Sequence, residues 1–298
     1  MGKTWKNSGI FPDFISVSIL PYWPKKMPDG TLAATRSMDP EFLTNMTDQL
    51  KYELKQAGLG HLKIIATEWN LNISDRNYVN DSQEFAAQLI DMINRLLEAV
   101  DLAVYTFASD LNLRYFETAQ PFFGGKGLLS KDGLFKPSCY ALSLYSRMED
   151  YLIQKGKGYI VTGNTKGKYT ILCYNAKEFS PEYYRFKGSG ITPDMMETIF
   201  PDKNELEISF CLSGLENGEY TEKMYILDKS NSALKQWELL GKKESLTPEE
   251  LEYLNKICVP RMRNHTIKVK DSQYIRFIRL HSHEIRLIQL SIVSGQYL

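Results

Sequence analysis

Two patterns of hydrophobic and polar positions divide the chain near residue 155. Before that point, short apolar segments rich in β-branched and aromatic residues alternate with segments whose apolar residues recur every three or four positions. The first kind predicts buried strands at residues 14–20, 62–67 and 102–107. The second kind predicts helices that begin at Asp39-Pro40, at Asn80 with Gln83 as its capping partner, and at Lys136-Pro137, the last continuing to Leu152.

Three strand–loop–helix units in succession imply parallel strands joined by right-handed crossovers, as in a (β/α) barrel or an open doubly wound sheet. A complete eight-stranded (β/α) barrel takes about 250 residues. Residues 1–154 are therefore expected to form an incomplete barrel domain.

After residue 155 the pattern becomes one of short alternating segments, which is typical of antiparallel strands. Lys166-Gly167 and Asn217-Gly218 stand where tight turns would join them. One helix is predicted to interrupt the strands, with Thr247 as its cap and Pro248 in its first turn. Residues 155–298 are therefore expected to form a β-sandwich with one helical excursion.

Composition narrows the class of protein. The 36 basic and 36 acidic side chains cancel, so the chain lacks the positive charge expected of a nucleic-acid binder. Pro12 and Asp13 interrupt the best apolar stretch among the first twenty residues, so no signal peptide or membrane span is predicted and the chain is expected to be cytoplasmic. The four cysteines stand far apart from one another and from the histidines, which favours buried free thiols over a metal site. No metal and no cofactor are predicted.

Polar and aromatic side chains cluster where the predicted parallel strands end, the edge at which barrel enzymes build their sites. Tyr22 follows the first strand, Glu68 and Asn70 follow the second, and Tyr105 lies in the third. Aromatic rings stack on sugar C–H faces while carboxylate and amide groups bond to hydroxyls, so this set suits a carbohydrate, with Glu68 as a candidate nucleophile. The alternative is that Glu68 pairs with a lysine and that the rings merely pack, and for a strand-end glutamate taken alone this structural interpretation is favoured.

The sequence resembles the C-terminal part of glycoside hydrolase family 39 proteins, which are β-xylosidase-like enzymes with a retaining mechanism. The resemblance rests on the order and spacing of several short motifs rather than on any single one. Segments 13–22, 67–70 and 105–110 resemble the sixth, seventh and eighth barrel strands, 123–128 resembles the approach to the last barrel helix, and 231–241 and 283–287 resemble parts of the sandwich.

This resemblance implies the last three units of a (β/α)8 barrel followed by a β-sandwich, acting on or binding β-xylosides or related plant-polysaccharide sugars. It assigns Glu68 as the catalytic nucleophile. It places Tyr22, Asn70, Tyr105 and Phe123 around the sugar.

The chain departs from the family pattern at several points. Leu20 stands where a histidine is common, and Tyr105 stands where a tryptophan is usual. The family's general acid/base is a glutamate in an Asn-Glu-Pro motif, and this sequence contains no such motif. Asp110 is the nearest substitute, although not a favoured one. Without acid assistance a glycosidase loses roughly 10²–10⁴ in rate, so only weak activity is expected from this chain alone.

A second functional hypothesis comes from segment 68–82, which looks especially like family 39-type modules attached to bacterial AraC-type transcription regulators. In such a protein the sugar site would act as an effector sensor without catalysis. Any DNA contact would lie outside this chain, because the sequence shows no helix-turn-helix pattern.

If only three strands of a barrel are present, the first predicted strand has an unpaired edge. An apolar edge of this kind is a template for pairing with another chain. We therefore expect either a longer gene product, whose N-terminal half covers residues 14–20, or a homo-oligomer in which a second copy covers them.

Overall fold

A small parallel sheet and a larger antiparallel sheet organise the chain, which the computed structural model describes over residues 12–111, 118–186 and 190–293. The strands are β1 (Phe14–Ile19), β2 (Tyr22–Lys26), β3 (Leu32–Arg36), β4 (Lys63–Trp69), β5 (Leu102–Ala103), β6 (Tyr151–Gly156), β7 (Tyr159–Gly163), β8 (Lys168–Tyr174), β9 (Leu206–Ser213), β10 (Gly218–Leu227), β11 (Arg261–Val269), β12 (Gln273–Leu280) and β13 (Ile285–Ile292). The helices are α1 (Phe42–Gln56), α2 (Gln83–Leu96), α3 (Pro137–Tyr145), α4 (Met196–Ile199), α5 (Ala233–Leu239) and α6 (Pro248–Ile257). Short 3₁₀ helices cover Tyr78–Asp81, Tyr183–Arg185, Pro193–Met195 and Lys229–Asn231.

None of the helices within those ranges is long and apolar enough to cross a membrane. Residues 1–11, which carry most of the N-terminal stretch considered above, lie outside the described residues.

The parallel sheet has the strand order β1-β4-β5, and both of its pairs are parallel, as the sequence predicts. β5 is shorter than its predicted range, because only Leu102 and Ala103 pair with β4. The chain leaves the sheet after Val104, whose N–H still donates to the carbonyl of Ala66 at 2.9 Å. The residues that follow turn towards loops near the strand ends.

An antiparallel hairpin of β2 and β3 follows β1 and was not predicted. Pro24 lies inside β2, and most of the hairpin's side chains are exposed, so the sequence carries no alternating apolar pattern there. The hairpin pairs Tyr22 with Arg36.

The predicted helix starts need correction. α1 begins at Phe42 rather than at Pro40, and Asp39 instead accepts a hydrogen bond from the Glu41 N–H at 2.9 Å. α2 is capped by Ser82, which accepts from the Phe85 N–H, because Asn80 is occupied in the preceding 3₁₀ helix.

The third helix is also shorter than predicted. α3 ends at Tyr145, and Leu152 lies in strand β6. Apolar residues four positions apart do not show where a helix ends and a strand begins. Here residues 151–156 form a strand because they pair with β7.

The second half contains a six-stranded sheet of order β11-β10-β13-β8-β7-β6 and a two-stranded sheet of β12 and β9. Apolar side chains of both sheets form one core, which includes Ile171, Phe210, Tyr274 and Ile288. The predicted strands are present, but β6 and β11 were missed. β11 is an edge strand whose side chains are almost all exposed, so it lacks an apolar face.

The prediction of a single helical excursion is wrong. α5 and α6 both leave the sandwich, and they pack with Phe122 and Leu134 of the first half in a separate cluster. Thr247 does cap α6 as predicted, in a capping box with Glu250. Of the four free cysteines, Cys173 and Cys258 are buried, whereas Cys211 is exposed.

α2 joins the two halves, since it is buried along almost its whole length. The Gln83 amide donates to the carbonyl of His283 at 2.8 Å, and the Asn94 amide donates to the Tyr174 hydroxyl at 2.7 Å. The main core cluster accordingly contains residues of both halves. The division into residues 1–154 and 155–298 remains a prediction.

Candidate functional site

A β-bulge positions Glu68 at the end of β4. Val17 pairs with Ala66 and Ser18 with Glu68, so Thr67 is an extra residue between two successive pairs. Bulges of this kind redirect side chains and are common beside active sites. The Thr67 hydroxyl lies 3.1 Å from that of Ser16, and this contact supports the bulge from the neighbouring strand.

Glu68 is half-buried and lies opposite the exposed Ser18. Among the described residues its carboxylate has neither a salt bridge nor a hydrogen bond. The interpretation that pairs Glu68 with a lysine therefore has no support in this part of the chain. Within the described ranges the carboxylate is unpaired.

Tyr105 packs against Trp69, the residue that follows Glu68. Its ring meets that of Trp69 edge to face, with centroids 5.9 Å apart. Its hydroxyl donates to the carbonyl of Lys126 at 2.9 Å, and burial raises its pKa. The phenol is therefore neutral at physiological pH, and the structure brings Tyr105 and Glu68 to the same end of the sheet.

Asn70 is buried, and its side chain shapes the loop after β4. Its carbonyl oxygen accepts from the Leu71 N–H at 2.7 Å and from the Asn72 N–H at 3.4 Å. Only the amide nitrogen of Asn70 has no bond to a described residue, so it is the atom left for a ligand.

The hydroxyl of Tyr22 is engaged by Arg36, which connects it through Tyr183 to Asn77 in the loop after β4. The Tyr22 hydroxyl accepts from Nη1 of Arg36 at 3.0 Å, and the same nitrogen donates to the Tyr183 hydroxyl at 3.2 Å. Phe123 is half-buried in its loop, whereas its neighbour Phe122 is fully buried against Trp237. A place for Tyr22 and Phe123 in the sugar site remains a prediction.

Sequence reasoning missed a buried charge cluster behind the strand ends. Nζ of Lys136 lies 2.5 Å from a carboxylate oxygen of Asp81 and 2.5 Å from one of Asp110, and all three side chains are fully buried. Burial raises the pKa of Asp81 to about 6 despite the opposing effect of Lys136, and it raises the pKa of Asp110 as well. Because Asp110 is engaged with Lys136, the idea that it could replace the missing acid/base is wrong.

The charge cluster holds the glycine-rich loop. The N–H of Gly124 donates to Asp81 at 2.6 Å, and the N–H of Gly127 donates to Asp110 at 2.7 Å. Lys136 donates to the carbonyl of Gly125 at 2.8 Å. The close neighbours of these glycines are the backbone of Asn77 and the Asp110 segment. The available sequence signal was the glycine-rich segment Gly124-Gly125-Lys126-Gly127.

Across the described ranges, no three His, Cys, Asp or Glu side chains come close enough together to hold a metal ion.

Comparison with known proteins adds to this picture. No protein-family model matches the chain. An uncharacterised HTH-type transcriptional regulator of Staphylococcus aureus strain MRSA252 is 24% identical over 233 residues, which are 77% of this chain and 30% of the regulator. A β-xylosidase of Geobacillus stearothermophilus is 21% identical over 257 residues, which are 86% of this chain and 47% of that protein. The chain thus spans less than half the length of either relative.

Solved structures show the same fold. The GH39 enzyme from Xanthomonas axonopodis pv. citri superposes with a TM-score of 0.79 at 15% identity, over 98% of this chain and 57% of that one. A monomeric β-xylosidase from Caulobacter crescentus CB15 gives a TM-score of 0.80 at 19% identity, over 98% of this chain and 58% of that one. The resemblance to glycoside hydrolase family 39 is therefore confirmed: the chain shares the mixed helix and sheet fold of these enzymes, and its sequence is similar to those of a β-xylosidase and of HTH-type regulators.

Proposed function

We propose that the ends of β1, β4 and β5 bind a β-xyloside or a related plant-polysaccharide sugar, in a (β/α)8-type barrel to which this chain contributes the last three units. The observation that carries the proposal is the carboxylate of Glu68, which follows a bulge at the end of β4 and has no salt bridge or hydrogen bond to a described residue. Similarity to a β-xylosidase and the shared fold support it. Carbohydrate is thus the proposed partner of the chain.

In the proposed retaining mechanism, Glu68 attacks the anomeric carbon while the bond to the leaving oxygen breaks. This forms a glycosyl-enzyme ester, which water then hydrolyses. A second carboxyl group about 5–5.5 Å away would protonate the leaving oxygen and later accept a proton from water. The sequence has no Asn-Glu-Pro motif, and Asp110 is engaged by Lys136. Glu68 is therefore expected to act only on sugars whose leaving group needs little protonation.

Hydrolysis of an aryl β-xyloside with an activated leaving group tests the nucleophile by itself. We expect slow release of the phenolate by the purified chain and loss of that release in Glu68→Gln. Glu53→Gln changes an exposed carboxylate on α1 and is the matched control. Turnover that persists in Glu68→Gln would exclude Glu68 as the nucleophile.

A non-catalytic sugar sensor is the second candidate, because a matched relative is an HTH-type regulator of which this chain spans 30%. Such a module would keep the sugar site but would not need an acid/base. Binding of xylose or xylobiose without any turnover of the activated xyloside would favour the sensor. Absence of both binding and turnover in a folded protein would contradict both candidates.

A further inference from the structure

A cavity of about 690 Å³ lies between the first half and the sandwich. Its walls come from β3 and the start of α1, from one side of α2, from the β6–β7 turn, and from the segment after β8. None of the proposed sugar-site residues lines it. Pockets of about 300–1,000 Å³ at junctions between structural units are common places for small-molecule sites.

Arg36 lies at this cavity within a cage of aromatic rings. Its guanidinium carbon is 4.4 Å from the ring centroid of Tyr183, 5.4 Å from that of Phe179, 5.5 Å from that of Tyr22 and 5.6 Å from that of Tyr184. Nη1 donates to the hydroxyls of Tyr22 and Tyr183. These contacts hold the guanidinium plane in one orientation without neutralising its charge.

Two of the other cations on the cavity wall are paired within the chain. Arg95 lies 2.8 Å from Asp91, and Lys177 lies 3.1 Å from Asp202. Arg36 differs from both, because no described carboxylate lies within 4.0 Å of it and its buried Nε has no hydrogen-bond partner. A partly buried cation without a counter-ion is unfavourable until an anion arrives.

The remaining acidic side chains of the wall are Asp39 and Glu178, and neither lies within 4.0 Å of a nitrogen of Arg36. The Asp39 carboxylate accepts from the Glu41 N–H and from the Asn45 amide, and Glu178 is exposed to solvent. Lys157 adds a further exposed cation to the wall. The end of the cavity at Arg36 therefore presents a guanidinium that no described carboxylate contacts.

We propose that this cavity binds a small sugar that carries one anionic group, either a carboxylate or a phosphate. The anion bonds to the guanidinium of Arg36, whose planar fork matches the oxygens of both groups. The half-buried Tyr184 on the same wall offers a ring for the sugar to stack on. The inference does not rest on the proposed role of Glu68, which is not part of the cavity.

Isothermal titration calorimetry with the full chain tests the proposal. The separate ligands are glucuronate, glucose 6-phosphate, inorganic phosphate and glucose. We expect saturable binding of at least one anionic sugar, and weaker binding of glucose. The Arg36→Gln variant should weaken that binding roughly tenfold or more, with Arg36→Lys intermediate because it keeps the charge but loses the fork. Comparing glucuronate with glucose 6-phosphate separates the two sources of the anion.

Arg147→Gln is the matched control, since Arg147 also lies 4.4 Å from a tyrosine ring, that of Tyr225, but outside the cavity. We expect Arg147→Gln to bind as the unaltered chain does. If Arg36→Gln fails to fold, NMR titration of the unaltered protein with the anionic sugar tests the proposal instead. The backbone amide chemical shifts that change should then centre on Gln88, Asp91 and Ala176. No saturable binding of either anionic sugar, equal binding by a folded Arg36→Gln variant, or shifts centred elsewhere would overturn the proposal.

Discussion

Lys136 and Asp110 form an ion pair of 2.5 Å in which neither side chain is exposed. Lys136 comes immediately before α3, and Asp110 follows β5, so the pair ties the last helix of the first half to the strand ends. Asp81 contributes a second carboxylate to the same nitrogen. The cluster thereby sets the position of the glycine-rich loop and removes Asp110 from any acid/base role.

Replacing Lys136 by methionine should strongly destabilise the fold, because it leaves two buried carboxylates without their cation. Removing one partner of a buried ion pair costs about 3–5 kcal/mol. Urea unfolding checks this, with Lys131→Met as the control, since Lys131 pairs only with the neighbouring Asp132 in a more exposed position. A loss below about 1 kcal/mol in Lys136→Met would contradict a structural role for the cluster.

Gly127→Ala should disrupt the same loop. A Cβ at Gly127 would lie 2.3 Å from the backbone nitrogen of Asp110, so either the loop or the Asp110 segment must move. The expected loss in the free energy of unfolding is about 3 kcal/mol. Gly60→Ala is the control, because the nearest atom to its Cβ is 3.5 Å away. Equal urea midpoints for the two variants would show that the loop adapts freely.

His283 should make the stability of the protein depend on pH. The side chain is fully buried, neither ring nitrogen has a hydrogen-bond partner among the described residues, and burial lowers its pKa from 6.5 to about 4. Between these values the unfolded chain binds a proton that the folded chain does not. The free energy of unfolding should therefore fall as pH decreases, by about 2 kcal/mol from pH 7 to pH 5.

Urea midpoints at both pH values, measured for the unaltered chain and for His283→Leu, check this contribution. The raised pKa of Asp81 acts in the opposite direction over part of this range, so the difference between the two proteins is the quantity to compare. The exposed His265 provides the control variant His265→Leu. An unchanged pH dependence in His283→Leu would refute the assignment.

β1 should mediate self-association of the isolated chain. It is an edge strand of the parallel sheet, and Phe14 at its start is 50% exposed. Unpaired edges of this kind pair with other chains, and charged residues prevent that pairing. Light scattering should show an oligomer that Phe14→Lys dissociates, whereas Tyr52→Lys on α1, which is 64% exposed, should leave it intact. A monodisperse, cooperatively melting monomer would contradict the prediction.

The sequence by itself determined the segments that bury a regular apolar face. β1, β4, α2 and most sandwich strands follow from periodicity, because burial on one side requires apolar residues at the spacing of the element. The resemblance to family 39 likewise rested on local motifs. The sequence does not reveal elements without such a face, notably the β2–β3 hairpin and β11. These strands are defined by backbone hydrogen bonds to a neighbouring strand, which leave no apolar pattern in the sequence.

Only the tertiary structure decided the surroundings of the candidate residues. The bulge at Thr67 depends on the register between two strands, and the Lys136 cluster joins residues far apart in the chain. The cage around Arg36 likewise combines β3 with the segment after β8. Local pattern carries no information about such pairings, because each is set by which elements pack together and by the need of buried charges for partners.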